Sequence, residues 1–306
     1  MTDETTMDPD YDYPKYEAEM CNYDELVKFL TIIPVVFSIV VVLSCIGNIL
    51  VLVILALYES LKSLTNIFIL NLTLSNLLFT FGLPFWASYY IWGWMFGEIG
   101  CKAVTFLFDV GLYSSVLFLT LMTVQRYMAV VHPLSDWEKC RGFSAAPIII
   151  WILSGAVSLP NSLNSKVTHY FNNTYCEYDS VKVKSGIVYF QNAFFFIAFL
   201  IMGFCCGRML WSITKSQTNE KNKTVRLTFV IALVFFIGWA PYNIVMFLIT
   251  LTDFTDCRVS IRVYYAYVIC RMLAFSHCCL NPLFYVFVDV KFRNHLKMIL
   301  QKIFKK

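Results

Sequence analysis

Seven stretches of this chain, 30–57, 65–92, 101–124, 144–163, 187–210, 225–251 and 263–288, are each long enough to cross a bilayer and nearly free of charge. A helix needs about 20 apolar residues to span the hydrocarbon core. Only helices or closed barrels satisfy every backbone N–H and C=O there, and these runs are too long and too continuously apolar for the roughly ten-residue strands of a barrel. The chain is therefore expected to be an all-α membrane protein, a seven-transmembrane helix bundle. Charged residues make up 14% of it, against roughly a quarter in soluble domains.

Charge orients the bundle. The first 28 residues hold nine acids against Lys15 and Lys28. Between the fifth and sixth runs and at their facing ends lie Arg208, Lys215, Lys221, Lys223 and Arg226 against Glu220. After the seventh come Lys291, Arg293, Lys297, Lys302, Lys305 and Lys306 against Asp289. Lys and Arg gather on the cytosolic side of membrane proteins, so a multi-pass protein with its N-terminus outside the cell is expected, in the plasma membrane. Residues 1–29 read as an acidic outer tail, 30–288 as the transmembrane domain, and 289–306 as a cytosolic amphipathic helix with a short tail. The first 29 residues contain no apolar run, so no cleavable signal peptide is expected and the first helix is its own anchor. The net charge of +4 sums two opposed faces and implies no nucleic-acid partner.

Cysteine placement follows this topology. Of eleven cysteines, Cys21, Cys101, Cys176 and Cys257 fall one in each outer segment, where disulfides persist. Four cysteines allow three pairings. The position of Cys101 at the start of the third helix and of Cys176 in mid-loop favours that pair, which leaves Cys21 with Cys257. Among the Asn-x-Ser/Thr sequons, Asn71 lies inside a helix and Asn222 faces the cytosol, so Asn172 in the second outer loop is the expected glycan site.

Polar groups inside a membrane are costly and usually functional, and their placement excludes several classes. No repeated halves with broken helices mark a coupled transporter. The four histidines, His132, His169, His277 and His295, form no His-Glu-x-x-His metalloprotease pattern. No enzyme chemistry, metal site or cofactor is implied.

Six features then occur in order, each on its own helix. They are Gly47-Asn48; Asn71-Leu72-x-Leu74-Ser75; Arg126-Tyr127; Trp151; Trp239-Ala240-Pro241-Tyr242; and Asn281-Pro282-Leu283-Phe284-Tyr285. Together they resemble the rhodopsin-like G-protein-coupled receptors, and the resemblance covers essentially residues 30–300. Leu83-Pro84-Phe85-Trp86, Trp92-Gly93-Trp94, the extra outer cysteine pair and the run from Phe275 through Cys278-Cys279 to Pro282 are similar to chemokine receptors. Most of those carry a glutamate where this chain has Arg271. The run from Cys270 and Arg271 to Cys279, and that from Tyr58 to Leu72, look most like the XC (lymphotactin-type) branch.

The resemblance implies roles for individual residues. Chemokines are small and basic, and Tyr11, Tyr13 and Tyr16 stand among Asp10, Asp12 and Glu17, surroundings that suit tyrosine sulfation and electrostatic capture of a cationic ligand. The Cys21–Cys257 bond would hold that tail over the pocket mouth. Trp86, Phe108, Tyr113, Tyr242, Tyr264 and Tyr267 are the aromatic pocket candidates, each of which also suits plain helix packing. Asp109 lies eight residues from Cys101, about 12 Å deeper along a helix. An interhelical ion pair between Asp109 and Arg271 is expected, with the ligand's N-terminus competing for it.

The transmission apparatus is mixed. Trp239 with Pro241 supplies a pivot, since proline removes a backbone bond and permits a kink, and Arg126, Tyr127, Asn281, Pro282 and Tyr285 occupy the family's inner positions. Three residues depart from the pattern. Gln125 replaces the aspartate that pairs with the neighbouring arginine. Asn76 replaces the aspartate that binds sodium beside Asn48, Ser115, His277 and Asn281. Cys206 replaces the helix-five tyrosine. A lost restraint of roughly 1–2 kcal/mol raises the active population about 5–30-fold, so raised basal activity with a reduced maximal response is expected. Phe292, Leu296 and 299–300 alternate with Lys291, Arg293 and Lys297, the pattern of a helix lying on membrane lipid. No serine or threonine follows Cys279, so any arrestin contact is expected to use Ser212, Thr214, Ser216 and Thr218 of the third inner loop. The reading is a cell-surface chemokine receptor that signals through a heterotrimeric G protein of the inhibitory type to calcium and chemotaxis. The alternative is an atypical chemokine-scavenging receptor with weak or no G-protein coupling.

Overall fold

The computed structural model describes residues 28–61, 63–132, 141–170, 173–214, 219–252, 256–288 and 290–304. Tyr11, Tyr13, Tyr16, Cys21 and Asn172 lie outside the described residues. The elements run α1 (Ile32–Tyr58), α2 (Leu64–Trp92), α3 (Gly97–Val131), α4 (Arg141–Leu163), β1 (Ser165–Tyr170), β2 (Asn173–Tyr178), α5 (Val181–Thr214), α6 (Asn219–Leu251), α7 (Cys257–Phe275), α8 (His277–Val288) and α9 (Val290–Phe304). Seven of the helical spans are long and apolar enough to cross a membrane, the seventh running from Cys257 to Pro282 across the α7–α8 break. The chain is an all-α seven-helix membrane protein with a short C-terminal helix.

Lipid inverts the usual distribution of residues. On α1, Val35, Ile39, Val42, Ile46 and Leu57 face outward, while Ser44 and Asn48 are buried. Ser75, Asn76, Ser114, Ser115, Ser154 and Ser158 are also interior. Lipid tails are as apolar as leucine, so helices gain little by hiding apolar surface from them; close packing and interhelical hydrogen bonds hold the bundle instead.

Close packing requires small residues at the seams. A Cβ on Gly111 of α3 would collide with the backbone N of Phe79 on α2 and lie 2.8 Å from its Cα. One on Gly47 of α1 would lie 2.8 Å from Cβ of Pro282 on α8. With its neighbours this close, α3 is buried from Cys101 to Gln125 on nearly every turn, Phe108, Leu112, Val116 and Leu119 toward the main core, and Phe118 and Met122 against α2 and α4.

Two features go beyond the sequence reading. The loop between α4 and α5 forms an antiparallel hairpin in which Val167 pairs with Cys176 and Ser165 with Tyr178. Its strands are short and mostly polar, so no hydrophobic alternation betrays them. The seventh crossing breaks at Ser276, whose carbonyl accepts from the N–H of Cys279 at 3.1 Å. The C-terminal helix is amphipathic as expected: Phe292 is buried against Val51, Ile54 and Leu55, His295 stacks on Tyr58 with centroids 4.8 Å apart, and Arg293 and Lys297 face outward.

The Gly111 seam yields a stability prediction. Gly111→Ala must push α2 from α3, at a cost of about 1–3 kcal/mol. Gly155→Ala in α4, where an added Cβ meets nothing within 4 Å, should be neutral or stabilising by up to about 1 kcal/mol. Thermal unfolding of the two purified variants in one detergent checks both; equal Tm values would contradict the packing described.

Candidate functional site

The outer mouth is built on the start of α3. Cys101 is disulfide-bonded to Cys176, with Cα atoms 5.7 Å apart, so the hairpin is tied across the bundle end. Trp94, almost fully buried, fixes this corner: its backbone N–H donates to the Thr174 carbonyl at 2.7 Å and its indole N–H to the Gly97 carbonyl at 2.8 Å. Gly93 makes that approach possible, since a Cβ there would lie 2.9 Å from the Thr174 oxygen and its φ is +73°. Lys166 and Asp179 close the hairpin base at 2.7 Å, and the carboxylate raises the lysine pKa above its ordinary value. Both groups are exposed, so the pair contributes little stability. Cys257 is disulfide-bonded, and its expected partner Cys21 lies outside the described residues.

Beneath the mouth, the expected ion pair between Asp109 and Arg271 does not form. The Asp109 carboxylate accepts from the Asn161 amide of α4 at 2.8 Å. Arg271 of α7 donates to the hydroxyls of Tyr90 and, at 3.3 Å, of Tyr267. Its guanidinium carbon lies 5.2 Å from the Phe275 ring centre, 5.3 Å from Tyr90, 5.8 Å from Phe37 and 5.9 Å from Tyr267. The arginine thus sits in an aromatic cage contributed by α1, α2 and α7, stabilised through ring faces, while the acid is held on the α3–α4 side. Each is satisfied locally, so no electrostatic need draws them together.

The cage connects inward through rings. Tyr267 packs on Tyr242 at 6.0 Å, Tyr242 meets Trp239 edge-on at 5.6 Å, and Trp239 stacks on Phe195 at 4.7 Å. Trp239 also contacts His277 at 5.3 Å. Pro241 lies between Trp239 and Tyr242 in α6, so the column crosses the helix where a backbone hydrogen bond is missing. Trp86 contacts Phe108 at 6.2 Å, and Tyr113 packs on Phe194 at 5.0 Å rather than joining this column.

Below Trp239 lies a polar network. Asn48 donates through its amide to the carbonyl of Ser44 at 2.9 Å, to the Ser44 hydroxyl at 3.0 Å and to the Cys278 carbonyl at 2.9 Å. Asn76 donates to the Asn48 side-chain oxygen at 3.3 Å. The Thr80 hydroxyl donates to the Asn76 carbonyl at 2.6 Å and lies 2.7 Å from that of Ser44. Ser115 lies 3.4 Å from His277 Nε2, and His277 Nδ1 lies 2.9 Å from the Ala274 carbonyl. These residues do not suit a sodium ion, because Asn48, Asn76, Ser115, His277 and Asn281 include no carboxylate and the Asn76 amide is turned to Asn48. Among the described residues no group of three or more His, Cys, Asp or Glu side chains is placed to hold a metal.

Toward the inner end, Gln125 donates to the Thr65 hydroxyl of α2 at 3.0 Å, a tie between helices that the sequence did not announce. Tyr127 lies 3.2 Å through its hydroxyl from His132 Nε2 and packs near Phe204. Trp151 of α4 donates to the Asn71 side chain of α2 at 2.8 Å, so two separately placed motif residues meet. Cys206 is buried in the seam between α5 and α6. Asn281 is buried, and the Tyr285 backbone lies in α8. Sequence reasoning missed Tyr90, Asn161 and Thr65. Nothing local marks a tyrosine or asparagine whose partner lies on another helix.

Double-mutant cycles separate the observed pairing from the expected one. Removing Asp109 and Asn161 together should reveal a coupling of about 0.5–1.5 kcal/mol in thermal stability, within the range of interhelical hydrogen bonds in membranes. The Asp109–Arg271 cycle should close to within about 0.3 kcal/mol. A large Asp109–Arg271 coupling would restore the ion pair.

Comparison with known proteins bears on this arrangement. A family model described as 7 transmembrane receptor (rhodopsin family) matches residues 47–285. Human chemokine XC receptor 1 is 40% identical over 297 residues, taking in 95% of this chain and 87% of the human protein. Mouse chemokine XC receptor 1 is 39% identical over 298 residues, taking in 96% and 90% respectively.

Proposed function

Because the chain belongs to the rhodopsin family of seven-transmembrane receptors, and within it to the chemokine receptors, we propose that it binds an XC-type chemokine at the plasma membrane and signals through a heterotrimeric G protein. The proposal includes a G protein of the inhibitory type, with calcium signalling and chemotaxis downstream, and the same kinship supports it. The chain is a receptor and not an enzyme; its action on the G protein is to promote nucleotide exchange.

The observation that carries this reading is the continuous column from the Arg271 cage through Tyr267 and Tyr242 to Trp239 beside Pro241. A ligand that enters from the outer face and competes with Tyr90 and Tyr267 for the guanidinium moves Tyr267, and Tyr242 passes the displacement to the α6 pivot. Arg271 is a cation, so it takes an acidic or carbonyl group of the ligand rather than its terminal amine. In this orientation the acidic segment 1–29, with Tyr11, Tyr13 and Tyr16, is extracellular and steers the basic chemokine to the mouth. The Cys21–Cys257 bond anchors that segment, and Asn172 carries the glycan. On the inner face, Arg126, Tyr127, Asn281, Pro282 and Tyr285 form the switch to the G protein, α9 rests on membrane lipid, and arrestin uses the third inner loop.

Scavenging is the second reading, and Gln125 is the specific observation in its favour. Gln125, not an acid, precedes Arg126 in the sequence, and its amide turns to the Thr65 hydroxyl of α2, so the inner restraint differs from that of a receptor with an acid at this position. The ring column and the intact Pro241 favour a working switch. A G-protein dissociation reporter in cells, read before and after a chemokine panel that includes lymphotactin, decides between them. Ligand-dependent dissociation supports the receptor reading, whereas uptake of chemokine without dissociation supports the scavenger. The same assay should give basal signalling above mock-transfected cells, lowered by Gln125→Asp or Asn76→Asp. Basal signal at the mock level, changed by neither variant, would refute the weakened restraint.

A further inference from the structure

Without the expected ion pair, Asp109 is an acid within a membrane span that leaves most of its bonding capacity unused. Among the described residues the Asn161 amide is its one hydrogen-bond partner, at 2.8 Å, and no basic group pairs with it. An ionised carboxylate offers about four acceptor positions. Asp109 is half-buried, and its second oxygen is not sealed inside the packing. An intramembrane acid that lacks both a base and a full set of donors marks a water-filled cavity or a ligand path.

The surroundings fix where that oxygen opens. Asn161 is itself held: its carbonyl accepts from the Ser165 hydroxyl at 2.8 Å, and its neighbour Ser162 donates to the Lys102 carbonyl of α3 at 2.9 Å. The end of α4 is thereby tied to α3 at the level of the mouth, so the amide that meets Asp109 is oriented before any ligand arrives. Tyr178, at the base of the hairpin, is close enough for the carboxylate to act on it. Burial first and Asp109 second hold its phenol above the ordinary value, with Tyr113 and Tyr267 adding to the effect. Asp109 thus borders the space beneath β2, among Asn161, Tyr113 and Tyr178.

Chemistry selects the occupant. A carboxylate with open acceptor positions takes donors that carry positive charge, and nearby phenol rings favour a cation through their faces. No group of three or more His, Cys, Asp or Glu among the described residues is placed to hold a metal there. An ammonium fits, with three donors on a compact head.

We propose that Asp109, oriented by Asn161, is the subsite for an ammonium group of the protein ligand. The mouth then reads two charges in two places, an ammonium between α3 and α4 and an acid or carbonyl at Arg271. The ligand's terminal amine is the favoured source. Asp109 lies eight residues from Cys101, about 12 Å deeper along α3. About four extended residues cover that depth, whereas a four-carbon lysine stem reaching from the rim falls short of it. The assignment rests on the receptor reading, and the experiment separates the two.

Equilibrium binding to the full chain in nanodiscs is measured for lymphotactin and for lymphotactin acetylated at its terminal amine. Acetylation should weaken binding to the wild type about ten- to a hundredfold, the loss of one charge-assisted contact. Asp109→Asn should bind both forms equally, at the weaker level, and Asp109→Glu, which keeps the charge, should restore the discrimination. Asp109→Ser makes the same comparison if Asp109→Asn does not fold. An equal loss on acetylation in wild type and Asp109→Asn overturns the subsite, as does unchanged binding of both forms to both receptors. If acetylation has no effect while Asp109→Asn still weakens binding, the terminal amine is overturned as the source. A lysine-to-methionine variant of the ligand that is blind to Asp109→Asn then upholds the ammonium subsite, and the absence of any such variant overturns it. If the wild type binds no lymphotactin, the failure belongs to the receptor reading, and benzylammonium decides the subsite. It should raise the Tm of the wild type but not of Asp109→Asn, with neutral benzyl alcohol raising neither; no difference between the two proteins overturns the subsite.

Discussion

Hydrocarbon offers no hydrogen bonds, and the arrangement of this bundle follows from where its polar side chains find partners instead. Asn48 is the clearest instance. One amide bridges α1 to the Cys278 carbonyl of α8, and the oxygen of the same side chain receives Asn76 of α2. Trp151 and Asn71 join α4 to α2, Gln125 and Thr65 join α3 to α2, and Ser115 approaches His277 across α3 and α8. Such bonds form only where backbones come close, and closeness depends on Gly111 and Gly47. Small residues and buried amides are thus one device: the first bring the helices together and the second fix their register.

Upon that frame the interior divides by chemistry. Its outer half gathers rings around Arg271, with Asp109 and Asn161 paired to one side, and below Trp239 lies a network of Asn, Ser, Thr and His side chains. Trp239 stands where the two meet, fully buried and in contact with Phe195, Tyr242 and His277. On the proposed reading, a displacement of the rings above it reaches the network below through Trp239, next to Pro241, and through Phe79, which meets Phe275 at 5.4 Å and His277 at 4.9 Å. Asn76 in the network and Gln125 at the inner end of α3 carry no fixed charge, which on the proposed reading leaves such movement less restrained.

The fold was legible in the sequence because membrane helices are written in runs of apolar residues, and neither pairing nor register is needed to count them. The family motifs were legible because each lies on its own helix in order; that Trp151 donates to Asn71 is visible only in the structure. What escaped were contacts decided by rotation of one helix against another. Asp109 and Arg271 were matched by charge and depth alone, and neither property reports that Asn161 stands nearer the acid or that Tyr90 and Tyr267 enclose the base. The β1–β2 hairpin escaped for a different reason: the Cys101–Cys176 bond and Trp94 hold its six-residue polar strands against α3, so its stability is tertiary rather than local.

The central claim is that binding at the outer mouth moves α6 about Pro241. Double electron–electron resonance between spin labels at the inner ends of α3 and α6, with and without a saturating XC-type chemokine, tests it most directly. The account predicts that chemokine shifts the distance distribution toward longer separations, and that Trp239→Ala abolishes the shift while binding persists. Identical distributions in the free and chemokine-bound protein would contradict it.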